Sequence, residues 1–155
     1  MTVNLVGLTD PLGNATTFAR DLLGRVVGET DPLGQERTYQ YDAAGRLTVA
    51  TDRSGRRREF AYDALGRRTA ETWLAAGGGV ADTLTFSYDA NGNLLSAANQ
   101  WGTYTRTYDA LDRLATQQDL WGLGLTFGYH AAGQRDAVTD SQGGCGPRST
   151  TRPGG

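Results

Sequence analysis

The stretch "QYDAAGRLT", residues 40–48, carries the pattern that decides the fold. Related stretches follow as "AYDALGRRT" at 61–69, "SYDANGNLL" at 87–95 and "TYDALDRLA" at 107–115. An aspartate that opens a tight turn accepts hydrogen bonds from backbone N–H groups further along the turn. A glycine three residues later adopts the left-handed conformation that closes a short hairpin loop. Asp112 stands in place of that glycine in the last stretch, and aspartate tolerates this conformation. Each stretch therefore predicts a β-hairpin turn.

The Asp-x-x-Gly tetrad recurs every ten or eleven residues from Asp10 to Gly66 and resumes at Asp89. Asn99 and His130 open two further tetrads in place of aspartate, and a last tetrad begins at Asp140. The principal predicted turn residues are Asp10, Gly13, Asp21, Gly24, Asp31, Gly34, Asp42, Gly45, Asp52, Gly55, Asp63, Gly66, Asp89, Gly92, Asp109, Asp119 and Gly122. A repeat of this kind indicates an architecture built from stacked copies of one small unit.

Six or seven residues separate successive turns, which is the length of a short β-strand. Aromatic side chains occur at two positions before the turn aspartate, the residue directly before it and the residue three positions before it. These two positions lie on the same face of a strand. These repeat aromatics are Tyr39, Tyr41, Phe60, Tyr62, Phe86, Tyr88, Tyr108, Phe127 and Tyr129. The period of two fits no helix. We predict an all-β chain whose tandem β-hairpins form one curved antiparallel sheet.

The repeat also predicts how the chain is divided. Residues 1–140 form the repeat region of about six units, each with two strands and two turns. The stretch "WLAAGGGVADT", residues 73–83, stretches one unit, and we expect a long flexible hairpin loop near 74–82. Residues 141–155, "SQGGCGPRSTTRPGG", abandon the repeat and are predicted to be a disordered tail.

Composition removes several classes of function. A net charge of −2 makes no electrostatic case for nucleic acid or an anionic membrane. One cysteine, Cys145, and one histidine, His130, allow neither an intrachain disulfide nor a cysteine- or histidine-based metal cluster. No apolar run approaches the roughly 18 residues of a membrane span. The first residues lack the basic and long apolar regions of a signal peptide.

Few residues suggest chemistry. "DANGN" at Asp89 begins like a calcium-binding EF-hand loop, but Leu94 stands where that loop needs glycine and Gln100 where it needs glutamate. The turn role already explains the aspartates and His130, so we predict no catalytic residue, no metal and no cofactor. Trp101 and Trp121 lie at the third place of a turn, where a side chain is normally exposed. A contact with carbohydrate there is a hypothesis; packing is the stronger interpretation of the recurring tyrosines.

The stretches "YQYDAAGRLTVATDRSG" (39–55), "FAYDALGRRTAETW" (60–73) and "FSYDANGNLLSAANQWG" (86–102) resemble YD repeats of the RHS family. The resemblance covers roughly residues 7–140 and rests on several tandem copies. It implies a β-spiral, of which many copies wind into a hollow shell around a C-terminal toxin in bacterial RHS proteins and insecticidal toxin complexes. No RHS-associated core signature follows residue 140, so the resemblance is to the repeat region alone.

The resemblance also suggests a function. It implies a non-enzymatic structural segment of a bacterial RHS-type toxin or surface protein, secreted or displayed at the cell surface. Its expected partners are further YD repeats of the same or a neighbouring chain and an enclosed toxin domain. A carbohydrate-binding or adhesive module is the alternative.

Overall fold

The computed structural model describes residues 4–142, in which thirteen β-strands are joined by tight turns and no helix occurs. The strands are β1 (Asn4–Thr9), β2 (Ala15–Arg20), β3 (Val26–Thr30), β4 (Glu36–Tyr41), β5 (Leu47–Thr51), β6 (Arg57–Tyr62), β7 (Arg68–Leu74), β8 (Val80–Tyr88), β9 (Leu94–Asn99), β10 (Gly102–Tyr108), β11 (Leu114–Gln118), β12 (Gly124–Tyr129) and β13 (Arg135–Asp140). Their order in the sheet is their order in the sequence. The predicted all-β fold of antiparallel tandem hairpins is confirmed.

The turn between β4 and β5 shows how each hairpin closes. The Gly45 N–H donates to the Asp42 carbonyl at 3.0 Å, and the Asp42 N–H donates to the Arg46 carbonyl at 2.9 Å. Gly45 has φ +84°, which glycine adopts without the steric cost of a Cβ atom. A bulge between Gln40 and Tyr41 accompanies the turn. Asp112 takes the glycine's position with φ 59° in the turn that follows β10.

The prediction of a long flexible loop near 74–82 is wrong. β7 extends to Leu74 and β8 begins at Val80, so both strands continue through most of the stretch. The Gly78 N–H donates to the Ala75 carbonyl at 2.9 Å and the Ala75 N–H to the Gly79 carbonyl at 2.9 Å, which is the turn of the other repeats. Gly78, at φ 82°, is the left-handed residue of this turn, although Ala75 and not an aspartate occupies the first position of the turn. The additional residues lengthen the strands instead.

The turn at 99–102 also differs from the tetrad pattern. Asn99 pairs directly with Gly102, which leaves a two-residue loop between β9 and β10. Gly102 has φ 155°, and a Cβ atom there would lie 2.7 Å from the Cβ of Leu120. Glycine is therefore required at this position, because the turn at 119–122, which is the next turn on the same edge of the sheet, lies directly against the Gly102 backbone.

The chain divides into two compact units, with the boundary between Thr83 and Leu84. Burial is sparse: among the described residues only Gly28, Ala50 and Glu71 are buried, and no large side chain is fully enclosed. In the first unit, Phe18 pairs with Glu29 and Glu29 with Arg37, so aromatic and charged side chains share one face. Stability must therefore come from contacts between neighbouring strands.

No helix in residues 4–142 has the length and apolar character needed to cross a membrane. The predicted disordered tail lies outside the described residues, apart from Ser141 and Gln142, which form a turn after β13.

Candidate functional site

Asp63 shows how a turn aspartate is used. Its Oδ1 accepts the backbone N–H groups of Leu65 at 3.0 Å and Arg67 at 2.9 Å. Its Oδ2 accepts the Arg67 guanidinium Nε at 2.7 Å. One carboxylate therefore satisfies two turn amides and anchors one cation, which is the strong, charge-assisted form of hydrogen bond.

The same pair of amide bonds, to the residues two and four positions after the aspartate, recurs through the chain. It occurs at Asp10, Asp21, Asp31, Asp52, Asp63, Asp89, Asp109 and Asp119. Asp42 accepts the Arg46 N–H. The predicted turn glycines all have positive φ, at Gly13, Gly24, Gly34, Gly45, Gly55, Gly66, Gly92 and Gly122. At His130 the ring Nδ1 accepts the Ala132 N–H at 2.9 Å, so the imidazole replaces the carboxylate.

These hydrogen bonds stabilise the ionised aspartates. The backbone N–H and guanidinium of Arg46 hold the pKa of Asp42 below its ordinary value. The side-chain hydrogen bond from Arg113 does the same to the pKa of Asp109, and that from Asn93 to the pKa of Asp89. The folded turns therefore stabilise the ionised form of these aspartates over the protonated form.

Arg46 connects one repeat to the next. Its Nε donates to Asp42 Oδ2 at 2.7 Å, within its own turn. Its terminal nitrogen donates to the backbone carbonyl of Asp63 at 3.1 Å, in the following repeat. Its guanidinium carbon lies 4.9 Å from the centroid of the Tyr62 ring, at cation–π distance. We call this set, a turn aspartate, the arginine four residues later and the tyrosine of the next repeat, an inter-repeat junction.

Two further junctions repeat this geometry. Arg25 binds Asp21, reaches the Asp42 carbonyl at 3.3 Å and lies 4.7 Å from the Tyr41 ring. Arg113 binds Asp109 and lies 4.4 Å from the Tyr129 ring. In the second unit, Asn93 replaces the arginine after Asp89 and donates to Asp112 Oδ1 at 2.8 Å.

The tyrosine hydroxyl adds a second bond between repeats. Tyr62 donates to the Leu47 carbonyl at 2.8 Å. Equivalent bonds run from Tyr41 to Val26 at 3.0 Å, from Tyr108 to Leu94 at 3.1 Å and from Tyr129 to Leu114 at 2.9 Å. Each accepting carbonyl belongs to the first residue of a strand that follows an earlier turn, namely β3, β5, β9 or β11. The tyrosine before the turn therefore binds backwards along the chain while the arginine after the turn binds forwards.

The remaining aromatic positions pack differently. Phe60 lies 5.8 Å from the Arg58 guanidinium and 5.9 Å from that of Arg68, and Phe127 lies 5.5 Å from Arg135. Phe86 pairs with Ala97 and Tyr88 with Leu94 across β8 and β9. Tyr39 pairs with Ala50.

Trp101 and Trp121 project from turns of the second unit, where they are 73% and 83% exposed. Their backbone N–H groups bind Asn99 Oδ1 and Asp119 Oδ1, both at 3.0 Å, so each indole is carried by a capped turn.

Sequence reasoning missed the role of the arginines. The signal was present, since arginine follows the aspartate by four residues at Arg25, Arg46, Arg56, Arg67 and Arg113. The pattern alone could not distinguish a solvated cation from one that binds the next repeat. Arg56 illustrates the difference, because it binds Asp52 while its side chain remains 70% exposed.

Comparison with known proteins finds one family model that matches part of the chain. The model of the RHS Repeat family matches residues 4–36, 20–57 and 41–72. A search of curated protein sequences found no significant match.

Solved structures resemble the whole described fold. The chain superposes on a structure of the Photorhabdus luminescens Tc holotoxin pore with a TM-score of 0.73 at 20% identity, covering 89% of this chain and 8% of the other. A crystal structure of TcdB2-TccC3 gives a TM-score of 0.72 at 20% identity, with 88% of this chain and 9% of the other covered. At this identity the likeness shows the fold alone, and the chain spans less than a tenth of the length of those proteins.

Proposed function

Because the model of the RHS Repeat family matches residues 4–36, 20–57 and 41–72, we propose that this chain is an architectural segment of a bacterial RHS-type protein. Its repeats would form part of a shell that encloses a C-terminal toxin. The protein would act outside the cell, either secreted or at the cell surface. The partners in this role are further YD repeats, of the same or a neighbouring chain, and the enclosed domain.

The inter-repeat junction is the observation that carries this proposal. Repeats bind their neighbours through arginines that reach forwards, at Arg25 and Arg46, and through tyrosines that reach backwards, as at Tyr41 and Tyr62. Such bonds need no common hydrophobic core, and burial among the described residues is sparse. An architecture held by nearest-neighbour terms can be extended by further repeats, which is what a large shell requires. The turn aspartates are engaged in these structural bonds, which favours a role without catalysis.

Protease protection in the intact gene product tests the enclosing role. The reading frames beside this segment should encode further YD repeats and a toxin domain. In the intact protein that domain should resist a protease, and it should become sensitive when Gly45 and Gly66 are replaced by valine, because β-branched residues disfavour positive φ. Equal digestion before and after the substitutions would contradict the proposal.

Binding of carbohydrate is a second candidate function, favoured by the exposure of Trp101 and Trp121 on successive turns of one sheet edge. Leu120, in the turn that carries Trp121, contacts Gly102, so both indoles project from one locally packed edge. A glycan array should then show binding by the chain that is lost in Trp101→Ala and Trp121→Ala. Binding that persists in the double variant would exclude this site.

A further inference from the structure

Four residues form a row across the aromatic face of the first unit. Tyr39 on β4 pairs with Ala50 on β5, Ala50 pairs with Arg58 on β6, and Arg58 pairs with Trp73 on β7. Directly paired residues lie on the same face, and neighbouring strands are about 4.8 Å apart. Ala50 has by far the shortest side chain of the four. The row therefore has a gap over Ala50, with Tyr39 on one side and Arg58 and Trp73 on the other.

This gap opens into a cavity of about 560 Å³ that Tyr39, Ala50, Arg58 and Trp73 line. The volume is within the range of sites that hold small organic molecules. The Arg58 guanidinium lies 5.7 Å from the Trp73 ring, and Trp73 is 45% exposed. Aromatic and guanidinium surfaces thus form walls around a small floor, a shape that accepts a planar group. We call this cavity the Ala50 slot.

Arginines outnumber carboxylates around the Ala50 slot. Arg37, Arg56, Arg57 and Arg58 line it together with one carboxylate, Asp52. Arg56 is paired with Asp52 at 2.8 Å and Arg57 with Glu59 at 2.9 Å, which leaves Arg37 and Arg58 as the candidates for binding an anion. The nearest carboxylate contacts of Arg37 and Arg58 are to Glu29 and Glu71, both at 3.7 Å, which exceeds hydrogen-bond length. Glu71 instead accepts Arg68 at 2.7 Å. With five N–H donors on each guanidinium, Arg37 and Arg58 have donor capacity for a carboxylate from a ligand.

We propose that the Ala50 slot binds a planar organic anion, an aromatic ring attached to or flanked by a carboxylate. The ring lies over Ala50 between Tyr39 and the Arg58–Trp73 wall, where stacking on aromatic and guanidinium faces is favourable. The carboxylate binds Arg58 and Arg37, and Arg56 at the rim adds positive potential. This binding activity is separate from the architectural role, because it needs only residues of one unit.

The last thirteen residues of the chain do not fit this chemistry. Residues 143–155, "GGCGPRSTTRPGG", contain two arginines, no acidic residue and no aromatic residue. Charge complementarity therefore assigns the slot to a separate ligand. Two sources could present a ring with a carboxylate, a free aromatic acid and an aromatic side chain between acidic residues of a peptide.

Tryptophan fluorescence can report on the slot alone. The chain has three tryptophans, so Trp101→Phe and Trp121→Phe leave Trp73 as the single indole emitter. Titrating this variant with phenylacetate, whose ring does not emit in the range of indole, and, separately, with the peptide acetyl-Glu-Phe-Glu-amide distinguishes the two sources. We expect saturable quenching by one or both, and binding about tenfold weaker for phenylacetamide, which lacks the charge, and for acetate, which lacks the ring.

Variants in the same background locate the site. Ala50→Ile fills the gap. Arg58→Gln removes the guanidinium that binds the carboxylate of the ligand. Each substitution should weaken binding about tenfold. Arg56→Gln, at a 70% exposed rim position, should weaken it less. Arg135→Gln is the matched control, since Arg135 also lies over an aromatic ring, at 5.5 Å from Phe127, but in the other unit. The absence of saturable quenching by either probe, or equal affinity in Arg56→Gln and Arg58→Gln, would overturn the proposal.

Discussion

The turn aspartate is the residue on which each hairpin depends. Its carboxylate accepts two backbone N–H groups that the tight turn would otherwise leave without a partner, and it also fixes the following polar side chain. The glycine that closes the turn needs only its positive φ. These two residues act locally, which is why each turn can be reproduced along the chain.

Removing one turn carboxylate should destabilise the chain measurably. Asp63→Ala loses three hydrogen bonds, so we expect the melting temperature to fall by about 5 °C. Asp63→Asn keeps an acceptor for the turn amides and should show a smaller decrease. Ala64→Ser, in the same turn, serves as the control. Thermal melting followed by circular dichroism measures the effect, and equal stability of Asp63→Ala and the control would contradict this role.

The hairpin is the element that the chain repeats, and the inter-repeat junction joins one hairpin to the next. β7 and β8 show that a hairpin tolerates extra residues by lengthening its strands while the turn keeps its geometry. The junction depends on strand register, because Arg46 and Tyr62 meet only when β5 pairs correctly with β6.

Adjacent glycines in the β7–β8 hairpin provide a matched pair of variants. Gly78 has φ 82°, whereas Gly77 does not have positive φ. A Cβ atom would meet no other atom within 4 Å at either position, so only backbone conformation distinguishes them. Gly78→Ala should destabilise the chain by about 1 kcal/mol, and Gly77→Ala should be neutral or slightly stabilising. Urea denaturation measures both, and the same loss in both variants would contradict the tight turn.

A double-mutant cycle measures the junction directly. Arg46→Gln and Tyr62→Phe each remove a bond between repeats, and Tyr62→Leu also removes the stacked ring. We expect Arg46→Gln and Tyr62→Leu to be non-additive by about 1 kcal/mol. The cycle of Arg56→Gln with Tyr62→Leu should be additive, since Arg56 binds Asp52 within its own turn. Additivity in both cycles would show that the junction contributes no coupling.

At the scale of the whole molecule, residues 4–142 contain little buried core, so their stability is spread over many polar junctions and turn caps. Seven turn aspartates have a pKa held below the ordinary value: Asp10, Asp21, Asp42, Asp52, Asp63, Asp89 and Asp109. A lowered pKa in the folded state means that the unfolded chain binds protons first as the pH falls. The contribution of these groups is therefore complete above their ordinary pKa of 3.8 and is lost below it.

Acid should unfold this chain in a narrow range. We expect the melting temperature to change little from pH 7 to about pH 5 and to fall steeply from about pH 4 to pH 2. Circular dichroism melts across this series measure the effect. Asp63→Asn should reduce the steepness, because one titrating group has been removed, and a melting temperature that rises on acidification would contradict the assignment.

Sequence reasoning reached the fold because its determinants are short-range. A turn and the face of the preceding strand are predicted within six residues by Tyr41, Asp42 and Gly45. The hydrogen bonds that close this turn are also local. The loop expected near 74–82 was wrong because Ala75 lacks the aspartate signal although Gly78 supplies the same backbone geometry. The Ala50 slot was missed because Ala50 and Trp73 lie far apart in sequence and are brought into one row, on either side of Arg58, only by the strand register.

The amino-acid sequence by itself determined where the chain turns, how long most strands are and which face carries the aromatic side chains. Each of these follows from a residue's own backbone preference or from bonds that span only a few residues. The tertiary structure alone decided that Arg46 reaches Asp63 and Tyr62, that Tyr62 reaches Leu47 and that Arg58 and Trp73 border a gap over Ala50. These contacts depend on the register between strands, which the pattern within any one strand does not contain.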